Sequence, residues 1–243
     1  MTRIRVWDLS LRIFHWVFAF TVVSALVFAL TAEDNPIRFR AHMLAGLTAG
    51  FMLVIRIIVA VIGGKFSRIS GFFFSPGETL GYLKGALTGT AKRYAGHNPG
   101  TANAALGMFV LVFFLVATGL TMSHGFKEEI HPIMAYILMG LIGAHLLGIV
   151  LHTLRYKEMI SLSMVTGKKE GEEGTGLSTA GTPAGLLMLV VVALWYYGLS
   201  TSFDFSTGKL HIPLTGQTIT LGGEEAAEGP EHEAEESEHG GVK

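Results

Sequence analysis

Residues 131–153 read HPIMAYILMGLIGAHLLGIVLHT, and this stretch decides the fold. No Asp, Glu, Lys or Arg interrupts it. A helix needs about 20 apolar residues to cross the hydrocarbon core of a bilayer, so the run from Pro132 to Thr153 is long enough to span. Three histidines sit in or beside it, at 131, 145 and 152. Ionisable groups inside a span are costly to keep, which makes them functional candidates by default.

Working outward, four further runs have the same character: roughly Leu11–Leu30, Met43–Gly63, Ala104–Met122 and Ala184–Leu199. The first is read as a retained helix and not a cleaved leader, because it lacks a distinct small-residue cleavage site and carries His15 and Trp16. Composition agrees. Of the 243 residues, 50% are hydrophobic and only 15% charged, against about 25% charged in soluble domains. Mean hydropathy is +0.48. Lys and Arg number 18 against 19 Asp and Glu, so there is no basic excess of the kind a nucleic-acid binder needs. The chain has no cysteine, which excludes disulfides, thiolate zinc sites, Cys-ligated iron–sulfur clusters and covalently attached c-type haem. Metal chemistry is left to histidine, of which there are ten, or to Met and carboxylates.

Charge sets the expected orientation. Twelve Lys and Arg fall on the N-terminus (Arg3, Arg5, Arg12), on the loop between the second and third runs, and on the loop between the fourth and fifth. Five fall on the other side. By the positive-inside rule the N-terminus is cytoplasmic. The end of the chain then emerges on the outside, in the periplasm of a Gram-negative cell. Residues 223–243 carry eight Glu and one Lys and have the composition of disorder. The expected organisation is a four-helix core over 1–166, a flexible cytoplasmic linker over 167–183, a fifth transmembrane helix over 184–200, and an extracytoplasmic acidic tail over 201–243. A short hairpin is expected within Lys209–Leu221, and an interfacial helix over Pro76–Leu87 behind Phe72, Phe73 and Phe74.

The histidines carry the functional reading. His131 and His145 are 14 residues apart, which at about 100° per residue falls about 40° short of four full turns, so they share a helix face. Along the axis they stand about 21 Å apart, too far to hold one metal together. Alternating topology puts His42 and His131 at the outer level and His15 and His145 at the inner level. One histidine in a span is usually a hydrogen-bonded packing residue, but four that pair by depth and face are harder to explain that way. Two pairs of neutral imidazoles at two depths, with no cysteine, suit two b-type haems with bis-histidine ligation. Depth alone would also let His152 replace His145 as the partner of His15.

These residues resemble the prokaryotic cytochrome b-561 family, which includes the di-haem cytochrome b subunits of nickel–iron hydrogenases. The resemblance is carried by Val6-Trp7-Asp8-Leu9-Ser10-Leu11-Arg12-Ile13-Phe14-His15-Trp16, by Ala41-His42-Met43-Leu44-Ala45-Gly46, and by Arg56. It continues in Phe66-Ser67-Arg68, Gly96-His97-Asn98-Pro99-Gly100, Ile130-His131 and Gly143-Ala144-His145. It covers roughly Arg3 to Tyr156. It implies four helices holding two haem b groups, with His15, His42, His131 and His145 as axial iron ligands, and it favours His145 over His152. The fifth span and acidic tail depart from the family pattern and leave the redox partner open.

The function expected is electron transfer across the bacterial inner membrane, between the quinone pool and an extracytoplasmic redox protein such as a hydrogenase subunit or a cytochrome c. Arg56, 14 residues after His42, is a candidate partner for a haem propionate, with a snorkelling arginine as the plainer reading. His152 and Arg155 are candidates for a quinone head group. His97 is expected to cap a turn with Asn98 and Pro99. Gly46, Gly50 and Gly119 allow either close approach of a macrocycle or close helix packing. Trp7, Trp16 and Trp195 read as an aromatic belt. The rival function is a transporter or proton- or metal-conducting protein using the same intramembrane histidines. It is weakened because no Asp or Glu lies inside the five runs.

Overall fold

The structure, a computed structural model, describes residues 2–33, 35–92, 94–121, 126–211 and 216–220, with only the backbone described at 126–128. The acidic run after Gly223, including His232 and His239, lies outside the described residues.

Local chemistry explains where the helices start. After strand β1 (Thr2–Arg5), helix α1 (Leu9–Leu30) opens on Asp8, whose carboxylate accepts from the Leu11 N–H at 2.8 Å. Helix α2 (Pro36–Ile62) opens on Asn35, which accepts from the Arg38 N–H at 3.1 Å, with Pro36 in the first turn. This cap extends α2 seven residues ahead of Met43, where the apolar run begins. Helix α3 (Pro76–Thr88) has a capping box made by Ser75 and Glu78 and stops at Gly89, whose φ of 83° is left-handed. Helix α4 (Pro99–Leu120) is capped by Asn98, which accepts from the Thr101 N–H at 2.8 Å. Helix α5 (Phe126–Tyr156), the single turn α6 (Ser163–Thr166), strand β2 (Lys168–Gly171) and helix α7 (Thr182–Ser202) follow. Among the described residues, five helices are long and apolar enough to cross a membrane: α1, α2, α4, α5 from Glu129 onward, and α7.

α1 packs on α2 and α7, α2 on α4, and α4 on α3 and α5. In the core, Val6, Leu11, Phe14 and Phe18 meet Met52, Leu53 and Val112, with Leu138 from α5 and Met188 and Val192 from α7. Gly50 belongs to this packing, because a Cβ there would stand 3.0 Å from Val116 Cγ1. Large apolar side chains such as Phe20, Ile57, Phe113, Ile137 and Leu187 face outward, as acyl-chain contact requires. α5 leans on α4 and lacks comparable close packing against α1 and α2.

The fifth spanning helix is built into the same bundle. Trp195 on α7 lies flat on Phe51 of α2, with ring centroids 4.1 Å apart and planes 3° from parallel. Its indole N–H donates to Thr48 Oγ at 3.2 Å. Trp7 is buried, donating to Ser163 Oγ at 3.0 Å. Trp7 therefore packs inside the protein, whereas Trp195 is partly buried against α2. Trp16 is half exposed and donates to the Met164 carbonyl at 3.1 Å.

A short strand forms within the segment expected as a flexible linker. β2 pairs antiparallel with β1, Thr2 opposite Gly171 and Arg5 opposite Lys168. The Leu177 N–H donates to the Arg5 carbonyl at 2.7 Å and the Leu9 N–H to the Ala180 carbonyl at 2.9 Å. Backbone pairing with the N-terminus satisfies groups that a glycine-rich composition alone leaves to solvent. At the other end of the bundle, strands β3 (Phe203–Asp204), β4 (Lys209–His211) and β5 (Thr218–Thr220) form a small antiparallel sheet that includes the expected hairpin. Arg40, buried on α2, anchors it by donating to the carbonyls of Phe205 at 2.6 Å and Ser206 at 2.7 Å.

Candidate functional site

The structure brings His42 of α2 and His131 of α5 together. Their ring centroids are 6.1 Å apart, with planes at 87°. His42 Nδ1 lies 2.9 Å from the Ala25 carbonyl. A carbonyl only accepts, so His42 carries its proton on Nδ1. His131 Nδ1 lies 2.8 Å from Thr118 Oγ1, and that hydroxyl is 2.8 Å from the Phe114 carbonyl. A hydroxyl has one proton to give. The Phe114 carbonyl takes it, so His131 Nδ1 is the donor to Thr118. Both imidazoles are thus held in the Nδ1–H tautomer, and each keeps its Nε2 lone pair.

That arrangement fits one metal between two imidazoles. A metal–nitrogen distance of about 2.0–2.1 Å, with about 1.1 Å from nitrogen to ring centre, puts two facing ring centres about 6.3 Å apart. The observed 6.1 Å is close to this value. Gly46, one turn deeper than His42 on the same helix face, has no atom within 4 Å of where a Cβ would stand. Gly119 lies beside the His131 ring, where a Cβ would be 3.5 Å from Cε1.

At the other level, His15 of α1 and His145 of α5 lie within electrostatic range of each other. His15 Nδ1 is buried without a hydrogen-bond partner. A buried polar atom with no protein partner is rare and calls for a partner of another kind. Among the described residues no three His, Cys, Asp or Glu gather as a metal-ion cage would need. His42 with His131, and His15 with His145, come as twos.

Arg56 is buried on α2 and donates to the Ser67 carbonyl at 2.9 Å. Its guanidinium carbon stands 4.9 Å from the centre of the Phe72 ring, with Phe14 and Phe109 also close. Ser67 turns its hydroxyl the other way, donating to Asp8 Oδ2 at 3.0 Å. Asp8 also accepts from Ser10 Oγ at 2.7 Å. One serine thus links a buried arginine to the carboxylate that caps α1. His97 closes this cluster, 4.7 Å from the Trp7 ring and 4.3 Å from Phe72. Burial, then the neighbouring Arg56 and Lys169, push His97 down to about 3, so it is a neutral packing ring. Asn98 and Pro99, not His97, make the cap.

His152 stands apart from both pairs. Its Nε2 lies 3.4 Å from Glu158 Oε2, and its ring is 4.8 Å from Tyr156. It lines a polar cleft with Tyr82, Tyr94, Glu158 and Lys169. Burial raises the Tyr82 phenol above its ordinary range, with Tyr156 and Tyr94 adding to it. Arg155 reaches to the end of α3, where its guanidinium occupies the space that a side chain on Gly89 would need. Sequence reasoning missed the Asp8–Ser67–Arg56 link and the hydroxyl on Thr118. Thr118 precedes Gly119 and is the one hydroxyl in the run from Ala104 to Leu120, and that was the available signal.

No curated protein and no solved structure matches the chain. A family model matches over residues 6–167, that of prokaryotic cytochrome b561.

Proposed function

The chain belongs to the prokaryotic cytochrome b561 family, and from that premise we propose a two-site reading of its function. It is a multi-pass bacterial membrane protein and a b-type cytochrome of electron transfer. In the proposed reading it binds two haem b groups. His42 and His131 hold one near the outer face, and His15 and His145 hold the other toward the cytoplasmic face. The N-terminus is cytoplasmic and the tail periplasmic. The outer site exchanges electrons with an extracytoplasmic redox protein, a hydrogenase-like subunit or a cytochrome c, and the inner site with the quinone pool. When bound, the two groups supply one-electron redox chemistry.

The chain's own contribution is binding, orientation and exclusion of water. α5 supplies one imidazole to each level, so a single rigid element sets the spacing of the two sites. α1 and α2 supply the opposing imidazoles. Arg56 carries five N–H donors, and the bond to Ser67 engages one nitrogen. It can therefore also serve an anionic edge such as a haem propionate. His152, in its polar cleft, and Arg155 are assigned to quinone. A protonated imidazole or guanidinium there can donate to a quinone oxygen.

One observation carries this reading: two imidazoles from different helices, 6.1 Å apart, each with Nδ1 engaged and Nε2 free. The test is a pyridine haemochrome assay with an absorbance spectrum. Two low-spin b haems per chain are expected, falling to one in His42→Ala or His131→Ala and to one in His15→Ala or His145→Ala. A colourless protein from haem-replete cells refutes it. Retention of both haems in His145→Ala moves the inner ligand to His152.

A further inference from the structure

Resting on the reading that His42 and His131 hold the outer haem, we propose that Thr118 is a positioning residue for that site, fixing the His131 ring and setting how strongly it donates to iron. The argument begins on α4. Thr118 gives its hydroxyl proton to the Phe114 carbonyl at 2.8 Å, one turn back in its own helix, with the Leu115 carbonyl at 3.1 Å as a second acceptor. That leaves an oxygen lone pair directed away from the helix backbone. His131 Nδ1, 2.8 Å away on α5, is the group that meets it. The neighbouring residue is Gly119, and a Cβ there would already touch the imidazole at 3.5 Å. The Thr118-Gly119 pair thus joins an acceptor to the space that lets the ring reach it.

The opposing ring is fixed differently. His42 donates to a backbone carbonyl, that of Ala25, which no substitution removes. Thr118 is therefore the adjustable acceptor of the pair. An imidazole whose distal N–H is accepted by a neighbour is a more basic ligand and is held in one orientation. Greater basicity favours the more positively charged iron. Removing the acceptor should therefore move the outer site to a more positive potential.

Thr118→Val keeps the shape and removes the acceptor, whereas Thr118→Ser keeps the acceptor. Midpoint potentials are read by spectroelectrochemical titration, ring orientation by the low-spin electron paramagnetic resonance signal, and occupancy by pyridine haemochrome. Thr118→Val should shift the reduction equilibrium of one haem by up to about tenfold toward the reduced form, which is about 59 mV for one electron, and should change its resonance signal. Thr118→Ser should titrate with the parent protein. Loss of one haem in Thr118→Val, with retention in Thr118→Ser, supports the same role through affinity. A Thr118→Val protein indistinguishable from the parent, or a Thr118→Ser protein that shifts as far as valine, overturns it. His131→Ala separates this from the reading beneath. If it keeps both haems, the ligand set falls and the proposal with it. If it loses one while Thr118→Val is silent, only the role of Thr118 falls.

Discussion

Acidification from about pH 7.5 to about pH 5 should cost the folded chain about 2 kcal/mol through one side chain, His97. The ring lies between Trp7 and Phe72, and burial, Arg56 and Lys169 hold it down to about 3. In the unfolded chain it titrates near its ordinary value of about 6.5. Between those two values the unfolded state binds a proton that the folded state refuses, so stability falls as pH drops. The loss begins near pH 6.5 and is about 1.4 kcal/mol per pH unit until the folded ring itself titrates. His97→Phe keeps an aromatic ring in the slot and removes the titration. The assay is thermal unfolding of the purified holoprotein, parent and variant side by side at both pH values, so that other titrations cancel. The parent should lose about 4–8 °C more than the variant on acidification, at about 2–4 °C per kcal/mol for a chain of this size. Parallel pH profiles would refute the reasoning and mean that His97 takes up its proton without unfolding.

Two further predictions concern the bundle. Gly46→Leu fills the open space one turn below His42 and should lower haem content to about one per chain by pyridine haemochrome, while the inner haem keeps its spectrum. Retention of both haems would show that the space is not used by the cofactor. Trp195→Ala removes the flat stack on Phe51 and the bond to Thr48. These contribute about 0.5–1.5 kcal/mol for the stack and about 1 kcal/mol for the bond. Thermal stability should fall by that order with both haems retained, and an unchanged midpoint would show that α7 docks by other contacts.

Much of this arrangement was legible because a bilayer restricts what a chain can do. Runs of about 20 apolar residues can only be spanning helices, and each of the five expected runs falls on one of the five long apolar helices, with the second and third running one to two residues past the helix end. Depth follows from alternation, which puts His42 and His131 at one level, and their rings stand 6.1 Å apart. The 14-residue spacing in α5 carried the rest. The β1–β2 ribbon was not legible, because its partners lie more than 160 residues apart and both are too short and charged to show alternation. Nor was the Asp8–Ser67–Arg56 link, whose members come from a cap, a loop and a span. Trp7 departs from its expected place for a related reason. Tryptophan near a span end suits a membrane interface, but a partner for its N–H inside the protein, Ser163, lets Trp7 be buried.

The packing of α5 leads to the last prediction. This helix carries one histidine of each pair, yet it leans on α4 without comparable packing against α1 and α2. Apolar helices in lipid gain nothing from burying hydrophobic surface against each other, so association rests on van der Waals fit and polar bonds. In the proposed reading, ligation at two levels is the strongest such bond between α5 and the helices α1 and α2. Its placement should then depend on the cofactors in a way that α1 against α2, closely packed along their length, does not. The absence of cysteine makes this measurable, because labels attach only where thiols are introduced. Spin labels at Leu30→Cys on α1 and Tyr136→Cys on α5, both exposed sites, report the distance between the two helices. Protein made under haem depletion should give a broader distance distribution than the loaded protein, while a control pair on α1 and α2 stays narrow. Equal widths with and without haem would mean that contacts with α4 alone fix α5, and that the histidine pairs are preformed by the polypeptide.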